Sequence, residues 1–142
     1  MTAYDDGNIF SKIIKGEIPS EKLYEDANAV AIMDIMPQTR GHCLVIPKAP
    51  SRNLLDASDE TLSAVMPLVA KLARAAKAAM QADGVRIAQF NEPAAGQTVF
   101  HLHFHILPMY EGVELDLHSN RSADKAALAE QAEKIRAALN AG

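Results

Sequence analysis

Along His101-Leu102-His103-Phe104-His105-Ile106-Leu107, each histidine is followed by an apolar residue. Alternation at period two marks a strand with one buried face, because successive side chains leave the backbone on opposite sides. The pattern predicts a strand over 98–107. His101, His103 and His105 would line one face, with Leu102, Phe104 and Ile106 packed into a core. Such a strand needs a sheet to sit in, and it delivers three imidazoles to one small volume from a rigid platform. Three of the chain's five histidines fall here, so scattered surface histidines are a poor account of the pattern.

Two chemistries remain open for the cluster. Histidines at i and i+2 can chelate one zinc. His101 and His105, however, are four residues apart, roughly 13 Å at ~3.3 Å per residue. One ion with bonds of about 2.1 Å cannot take all three. A third ligand would have to come from elsewhere, with His42 and Asp34 as candidates. Alternatively the imidazoles divide the work. One neutral ring attacks phosphorus, and a neighbour donates a hydrogen bond to a phosphoryl oxygen or a proton to the leaving group. Close imidazoles titrate as a coupled set, so neutral and protonated rings can coexist near neutral pH.

The rest of the chain supplies a frame. Asn8 to Gly16 reads as a short helix, with Asn8 as N-cap, Ile9, Phe10, Ile13 and Ile14 on one face, and Gly16 in the left-handed position after the last turn. Strand-like segments follow at 23–26, 30–35 and 42–47, with Asn28 and Gly41 as turn residues. Ser58 or Asp59 opens a long helix whose Leu62, Val65, Val69, Leu72, Ala76 and Ala79 share a face. Pro67 should kink or split it, and Asp83-Gly84 ends it. A strand is expected over 85–91, a loop over 92–96, and a last helix from near Ser122 with Leu128, Ile135 and Leu139 on one stripe. Short strand connections favour antiparallel pairing, so the class is α+β. No repeat or linker divides the 142 residues, which fit one domain.

Charge and composition remove several functions. A net charge of −4 argues against binding nucleic acid through phosphate neutralisation. No window approaches the ~18 uninterrupted apolar residues of a membrane span. Cys43 is the only cysteine, so no intrachain disulfide and no Cys-x-x-Cys zinc site can form. Its apolar surroundings, Leu44-Val45-Ile46, suit a small buried hydrophobe. A basic, apolar leader is absent from Met1 to Asp6, and a reduced, cytoplasmic setting is expected.

Gly96-Gln97-Thr98 lies just before the histidines. Glycine lets the backbone approach a phosphate, and an amide and a hydroxyl offer donors. By itself the triplet is a turn; beside three aligned histidines it gains weight.

Together these segments resemble the histidine triad nucleotide-binding proteins. The resemblance runs from Asn8 to about Tyr110 (core about 8–110). It covers Asn8-Ile9-Phe10-Ser11-Lys12-Ile13-Ile14, Ile18-Pro19, Tyr24-Glu25-Asp26, Asp34-Ile35, Gly41 to Lys48, Gly96 to Phe100 and the triad itself. It implies an α+β fold with a five-stranded antiparallel sheet, a long helix and short terminal helices. It also implies a homodimer with a ten-stranded sheet. It implies a purine nucleotide ligand, resembling AMP or GMP, and hydrolysis or transfer at the α-phosphate through a nucleotidyl-histidine. His103 would be the nucleophile, and His105 the donor to phosphoryl oxygen. His101 and His42 would be a hydrogen-bonded pair orienting its surroundings. Asp34 would accept from the ribose hydroxyls. Asn91, Gln97 and Thr98 would lie on the phosphate side, with Gly96 as the close backbone approach. Ile9, Phe10, Ile13 and Ile32 would form a base pocket, a role that core packing explains equally well.

The departures are informative. Many bacterial relatives carry two cysteines where this chain has Asn8 and Ser11, and a histidine that the segment Lys48 to Asn53 lacks, so structural zinc is not expected and no cofactor is required. There is no tryptophan, and the tail over 111–142 runs on into a helix, as in a bacterial branch with an extended C-terminus. His118 in that tail has no family match. The expected substrates are nucleoside phosphoramidates, adenylylated amines or dinucleoside polyphosphates. A zinc-dependent hydrolase using two strand histidines and a non-catalytic nucleotide-binding module are the alternatives. Alanines 70, 73, 75, 76, 78 and 79 would let a second face of the long helix bury against a partner.

Overall fold

The protein is described here by a computed structural model over residues 3–115 and 124–141. Ser122 and His118 lie outside the described residues. Among the described residues, no helix is long and apolar enough to cross a membrane.

The chain builds α1 (Ile9–Ile14), β1 (Lys22–Glu25), β2 (Ala29–Met33), β3 (Cys43–Pro47), α2 (Asp59–Ala79), β4 (Gly84–Ala88), β5 (Phe104–Met109) and α3 (Lys125–Ala141). The five strands form one sheet in the order β1-β2-β3-β5-β4, every pair antiparallel. This is the α+β architecture the sequence implies.

Both faces of the sheet are covered, which is why β2 and β3 read as unbroken apolar runs. Ala29, Ala31, Met33, Cys43, Val45, Leu102, Phe104 and Ile106 meet α2 and α3 on one face. Val30, Ile32, Leu44 and Ile46 meet Phe10 and Ile13 of α1 on the other. The Asn8 side chain accepts from the Ser11 amide as N-cap of α1, and Ser58 does the same for α2 through Thr61. Cys43 is fully buried, and that burial pushes its thiol pKa up.

Several expectations need correction. Pro67 does not split the long helix, which runs unbroken from Asp59 to Ala79. Pro67 and Ser63 face solvent, so water can satisfy the Ser63 carbonyl that loses its donor. Of the six alanines, Ala70 and Ala78 are exposed and the other four meet the chain's own core. Ala75 and Ala76 are buried, and Ala73 and Ala79 pack against the same core, which Leu128, Ala132, Ile135 and Leu139 of α3 complete. The last strand begins at Phe104, not at 98. Pairing with β3 starts at Val45 and Phe104. Before it the Leu102 amide donates to the Ser51 carbonyl, so the chain leaves the ladder there. The expected strand over 85–91 likewise stops at Ala88.

Candidate active site

The site lies on the α1 face of the sheet. Leu44 on β3 pairs with His105 on β5 and with Ile32 on β2. Two residues along the strand return a side chain to the same face. His42 therefore sits beside Leu44, and Asp34, just past Met33, sits beside Ile32. The Asp34 amide donates to the His42 carbonyl at 3.0 Å, continuing the ladder past its formal end. Pleat and register on three strands thus bring Asp34, His42 and His105 together.

Hydrogen bonds to main-chain groups assign the imidazole tautomers, because an amide N–H only donates and a carbonyl only accepts. The Gln38 amide donates to His42 Nδ1 at 3.1 Å, so neutral His42 carries its proton on Nε2. That Nε2–H faces His105 Nδ1 at 2.9 Å and Asp34 Oδ2 at 3.4 Å. His105 Nδ1 is then an acceptor, and its proton sits on Nε2. His103 Nδ1 lies 2.6 Å from the His101 carbonyl, so Nδ1 donates and Nε2 keeps its lone pair. His101 Nε2 lies 2.7 Å from the Pro47 carbonyl and donates to it, leaving Nδ1 to accept from the Tyr4 hydroxyl at 2.6 Å. Asn8 Nδ2 donates in turn to that hydroxyl at 3.1 Å.

The rings pack edge to face. His103 and His105 have centroids 5.0 Å apart, Phe10 lies 4.7 Å from His103, and Phe90 lies 5.7 Å from His105. Burial makes each ring harder to protonate. The His42 pKa is lowered to about 3, mainly by burial and then by His105 and His103. Burial first of all lowers His103 to about 4, and it lowers His101 and His105 as well. Asp34 is shifted the other way, raised by burial against the Met36 amide that donates to it. With His42 neutral, its 3.4 Å approach to Asp34 is not an ion pair.

Several predicted residues stand elsewhere than the sequence placed them. His42 is not bonded to His101: it is bonded to His105, because the two lie on facing strands, while His101 precedes β5 and turns its ring onto Pro47 and Tyr4. Gln97 is buried, and its amide is consumed inside the loop. Its Oε1 accepts from the Glu92 amide at 2.8 Å and from Asn53 Nδ2 at 3.1 Å, and its Nε2 donates to the Arg52 and Val99 carbonyls. The Asn91 Oδ1 accepts from the Leu54 amide and Gln89 Nε2, and its Nδ2 donates to Gln89 Oε1, leaving one N–H with no partner among the described residues. Thr98 is exposed. Gly96 is required for its left-handed φ of +100° rather than for close contact, since an added Cβ would stay 3.8 Å from Phe90. Ile13 and Ile32 are core residues, Phe10 is buried against His103, and Ile9 is exposed. Tyr4, Phe90, Arg52, Asn53 and Glu92 belong to the site's surroundings without any local signal in the sequence: ordinary residues on separate segments become partners only in the fold.

Two metal sets can be tested against this chemistry. Where the resemblance would put two zinc-binding cysteines, the chain has Asn8 and Ser11, and the Asn8 side chain is spent capping α1 and bonding Tyr4. No thiolate is present there, and the residues do not fit zinc. Ligand atoms of Asp34, His42 and His105 do lie within 4.8 Å of one another. A cation there would need the lone pair on His42 Nε2, forcing the proton to Nδ1 against the Gln38 N–H. The hydrogen bonding favours the proton-bearing arrangement.

The model of the HIT domain matches residues 15–112. The chain is 44% identical over 102 residues to Protein hit of Bacillus subtilis, covering 72% of this chain and 70% of that one. It is 45% identical over 100 residues to adenosine 5'-monophosphoramidase of Saccharomyces cerevisiae, covering 70% of this chain and 61% of that protein. Among solved structures, it is similar to the Hit-like protein involved in cell-cycle regulation from Bartonella henselae, with an unknown ligand. There the TM-score is 0.90 at 57% identity, covering 96% of this chain and 99% of that one. A Zn-bound histidine triad family protein from Mycobacterium smegmatis matches with TM-score 0.83 at 39% identity, covering 94% of each chain. With its matching domain model, its fold and its three aligned histidines, the chain belongs to the histidine triad (HIT) family.

Proposed function

We propose that the protein is a nucleotidyl hydrolase or transferase that cleaves at the α-phosphate of purine nucleoside phosphoramidates through a covalent intermediate on His103. The observation that carries this reading is the tautomer of His103. Its Nδ1–H is spent on the His101 carbonyl, so Nε2 is a neutral, oriented nucleophile. Next to it, His105 holds its proton on Nε2, where it can donate to a phosphoryl oxygen in the transition state. In this reading Asp34 accepts from ribose, and Thr98, Gly96 and the free N–H of Asn91 face the phosphate. Gln97 supports that loop from behind. Ile9 and Phe10 meet the base.

The steps balance simply. The His103 Nε2–phosphorus bond forms as the bond to the leaving amine breaks and the amine takes up a proton. Water then cleaves the nucleotidyl-histidine, returning His103 and releasing a nucleoside monophosphate. None of these steps calls for a metal. Dinucleoside polyphosphates remain a second substrate class. Phosphoramidates are favoured because the imidazoles gathered here are neutral and Arg52 is already paired with Glu92. No fixed cation among these residues is free to meet extra phosphates. The names of relatives in two yeasts point the same way. We also propose a homodimer through the β4 edge of the sheet, where Ile87 and Phe90 are exposed. Sedimentation as a monomer at micromolar concentration would refute it.

The test is intact-protein mass spectrometry after acid-free quenching with an adenosine phosphoramidate. A transient adenylate on the wild type, absent from His103→Ala, is expected. Turnover without any adduct would move the reading to activated water, and loss of activity with chelator would then identify a zinc hydrolase. AMP binding with neither adduct nor turnover would leave a binding module.

A further inference from the structure

Glu92 has φ +78° and ψ 157°, a backbone region that residues with a Cβ rarely enter. Glycine would adopt it freely, and the same loop uses glycine at position 96. A glutamate kept at a strained position points to its side chain. That carboxylate is the hub of a fan of donors. Arg52 Nε and Nη2 reach Oε2 and Oε1 at 2.8 and 2.9 Å in a two-pronged pair, and Asn53 Nδ2 donates to Oε2 at 2.7 Å. Asn53 is buried and also donates to Gln97 Oε1 at 3.1 Å, while that oxygen accepts from the Glu92 amide. The Arg52 guanidinium stacks on Phe100, 4.2 Å from the ring centre. The Asp56 carboxylate in turn accepts from the Arg52 and Asn53 amides and holds the donor segment in place.

The Arg52 and Asn53 side chains join 52–56 to the loop 91–100 through Glu92, Gln97 and Phe100, while the Asp56 and Gln97 contacts brace each segment from within. Exposed ion pairs contribute little to stability, but a two-pronged, stacked and shared carboxylate fixes direction. What it fixes is the segment carrying Asn91, Gly96 and Thr98. The Thr98 hydroxyl meets no partner among the described residues and is exposed.

We infer that Arg52, Asn53 and Glu92 are positioning residues, a clamp that holds the 91–98 loop in the form that receives the substrate's α-phosphate. This rests on the functional reading above and deepens it: the nucleotide's phosphate, not its nucleoside, depends on the clamp. Misplacing a reacting group by about 1 Å can cost on the order of a hundredfold in rate.

The test compares wild type with Arg52→Ala, Arg52→Lys, Glu92→Gly and the exchange Arg52→Glu/Glu92→Arg. Three things are read: kcat and KM on an adenosine phosphoramidate, affinity for AMP and for adenosine by calorimetry, and the thermal midpoint. Arg52→Ala should lower kcat/KM by roughly tenfold or more and weaken AMP while leaving adenosine unchanged. Arg52→Lys keeps the charge but loses the fork, and should fall between; it carries the test if Arg52→Ala does not fold. Glu92→Gly relieves the strained backbone while losing the carboxylate, so it should lose activity with little change in midpoint. The exchange should restore part of the AMP affinity. Equal weakening of AMP and adenosine, or of neither, overturns the clamp. A wild type that binds no AMP and turns over no phosphoramidate fails the functional reading itself, and the clamp falls with it; failure in the variants alone concerns the clamp only.

Discussion

His103 Nδ1 rests 2.6 Å from the backbone carbonyl of His101, two residues earlier in the chain. This contact makes one histidine the orienting group of the next without any side chain between them. A carbonyl cannot donate, so the proton on His103 is held at Nδ1 and the lone pair is held at Nε2. The His101 ring is itself held at both nitrogens, by the Tyr4 hydroxyl and the Pro47 carbonyl.

Replacing His103 with alanine should reduce phosphoramidate turnover to background and abolish the mass adduct. AMP affinity should be retained, since the loop and Asp34 are untouched. Calorimetry with AMP, run beside the kinetic assay, checks both halves.

Tyr4→Phe keeps the aromatic ring but removes the donor to His101 Nδ1. Without the phenol, neutral His101 loses a stabilising bond, and its pKa should rise. AMP affinity should be unchanged. Imidazole nitrogen NMR on wild type and variant reads the His101 tautomer directly.

Asp34→Ala should weaken AMP by about tenfold or more, a hydrogen bond to a charged group being worth about 1.5–3 kcal/mol. The loss should be smaller for 2'-deoxy-AMP, because the proposed partners are ribose hydroxyls. An equal loss on both ligands would remove Asp34 from the ribose.

The nucleophile's protonation sets an acid limit. His103 titrates at about 4, so kcat/KM should hold from neutral pH down to that region and then fall. Stability shifts in the same direction over a wider window. His42 and His103 have folded values of about 3 and 4, below the ~6.5 of an unfolded histidine. Between those values the unfolded chain binds more protons than the native one, so stability is full above about pH 6.5 and declines as pH falls toward 4. Asp34, raised, opposes this in its own lower range. Thermal midpoints measured from pH 7 to 4 should fall steadily, and less steeply in His42→Gln.

Ile135 on α3 is fully buried against α2. Ile135→Ala should cost about 2–5 kcal/mol, as expected for a large-to-small change in a packed core. Urea unfolding checks it, and an unchanged midpoint would detach α3 from the core. The Gly41 amide donates to Gln131 Oε1 of the same helix, so the turn before His42 is also held by the C-terminal extension.

The period-two spacing at 101–107 already contained the triad and its buried partners Leu102, Phe104 and Ile106, because pleat direction is a local property. The N-caps Asn8 and Ser58, the turn at Gly41 and the apolar runs of β2 and β3 were legible for the same reason. Which histidine bonds to which was not. His42 meets His105 because β3 and β5 are neighbours with a particular register, and register is set by the whole sheet. The tautomers depend on main-chain groups of Gln38, Pro47 and His101, which no side-chain motif announces. Gln97 looked like a phosphate contact from its place beside Gly96 and Thr98. The fold spends both ends of its amide on the loop itself, because Arg52 and Asn53 arrive from 45 and 44 residues away. The sequence by itself determined the residue types and the faces they occupy. Only the tertiary structure decided their partners, because a hydrogen bond is a matter of distance and direction between segments that the chain order does not bring together.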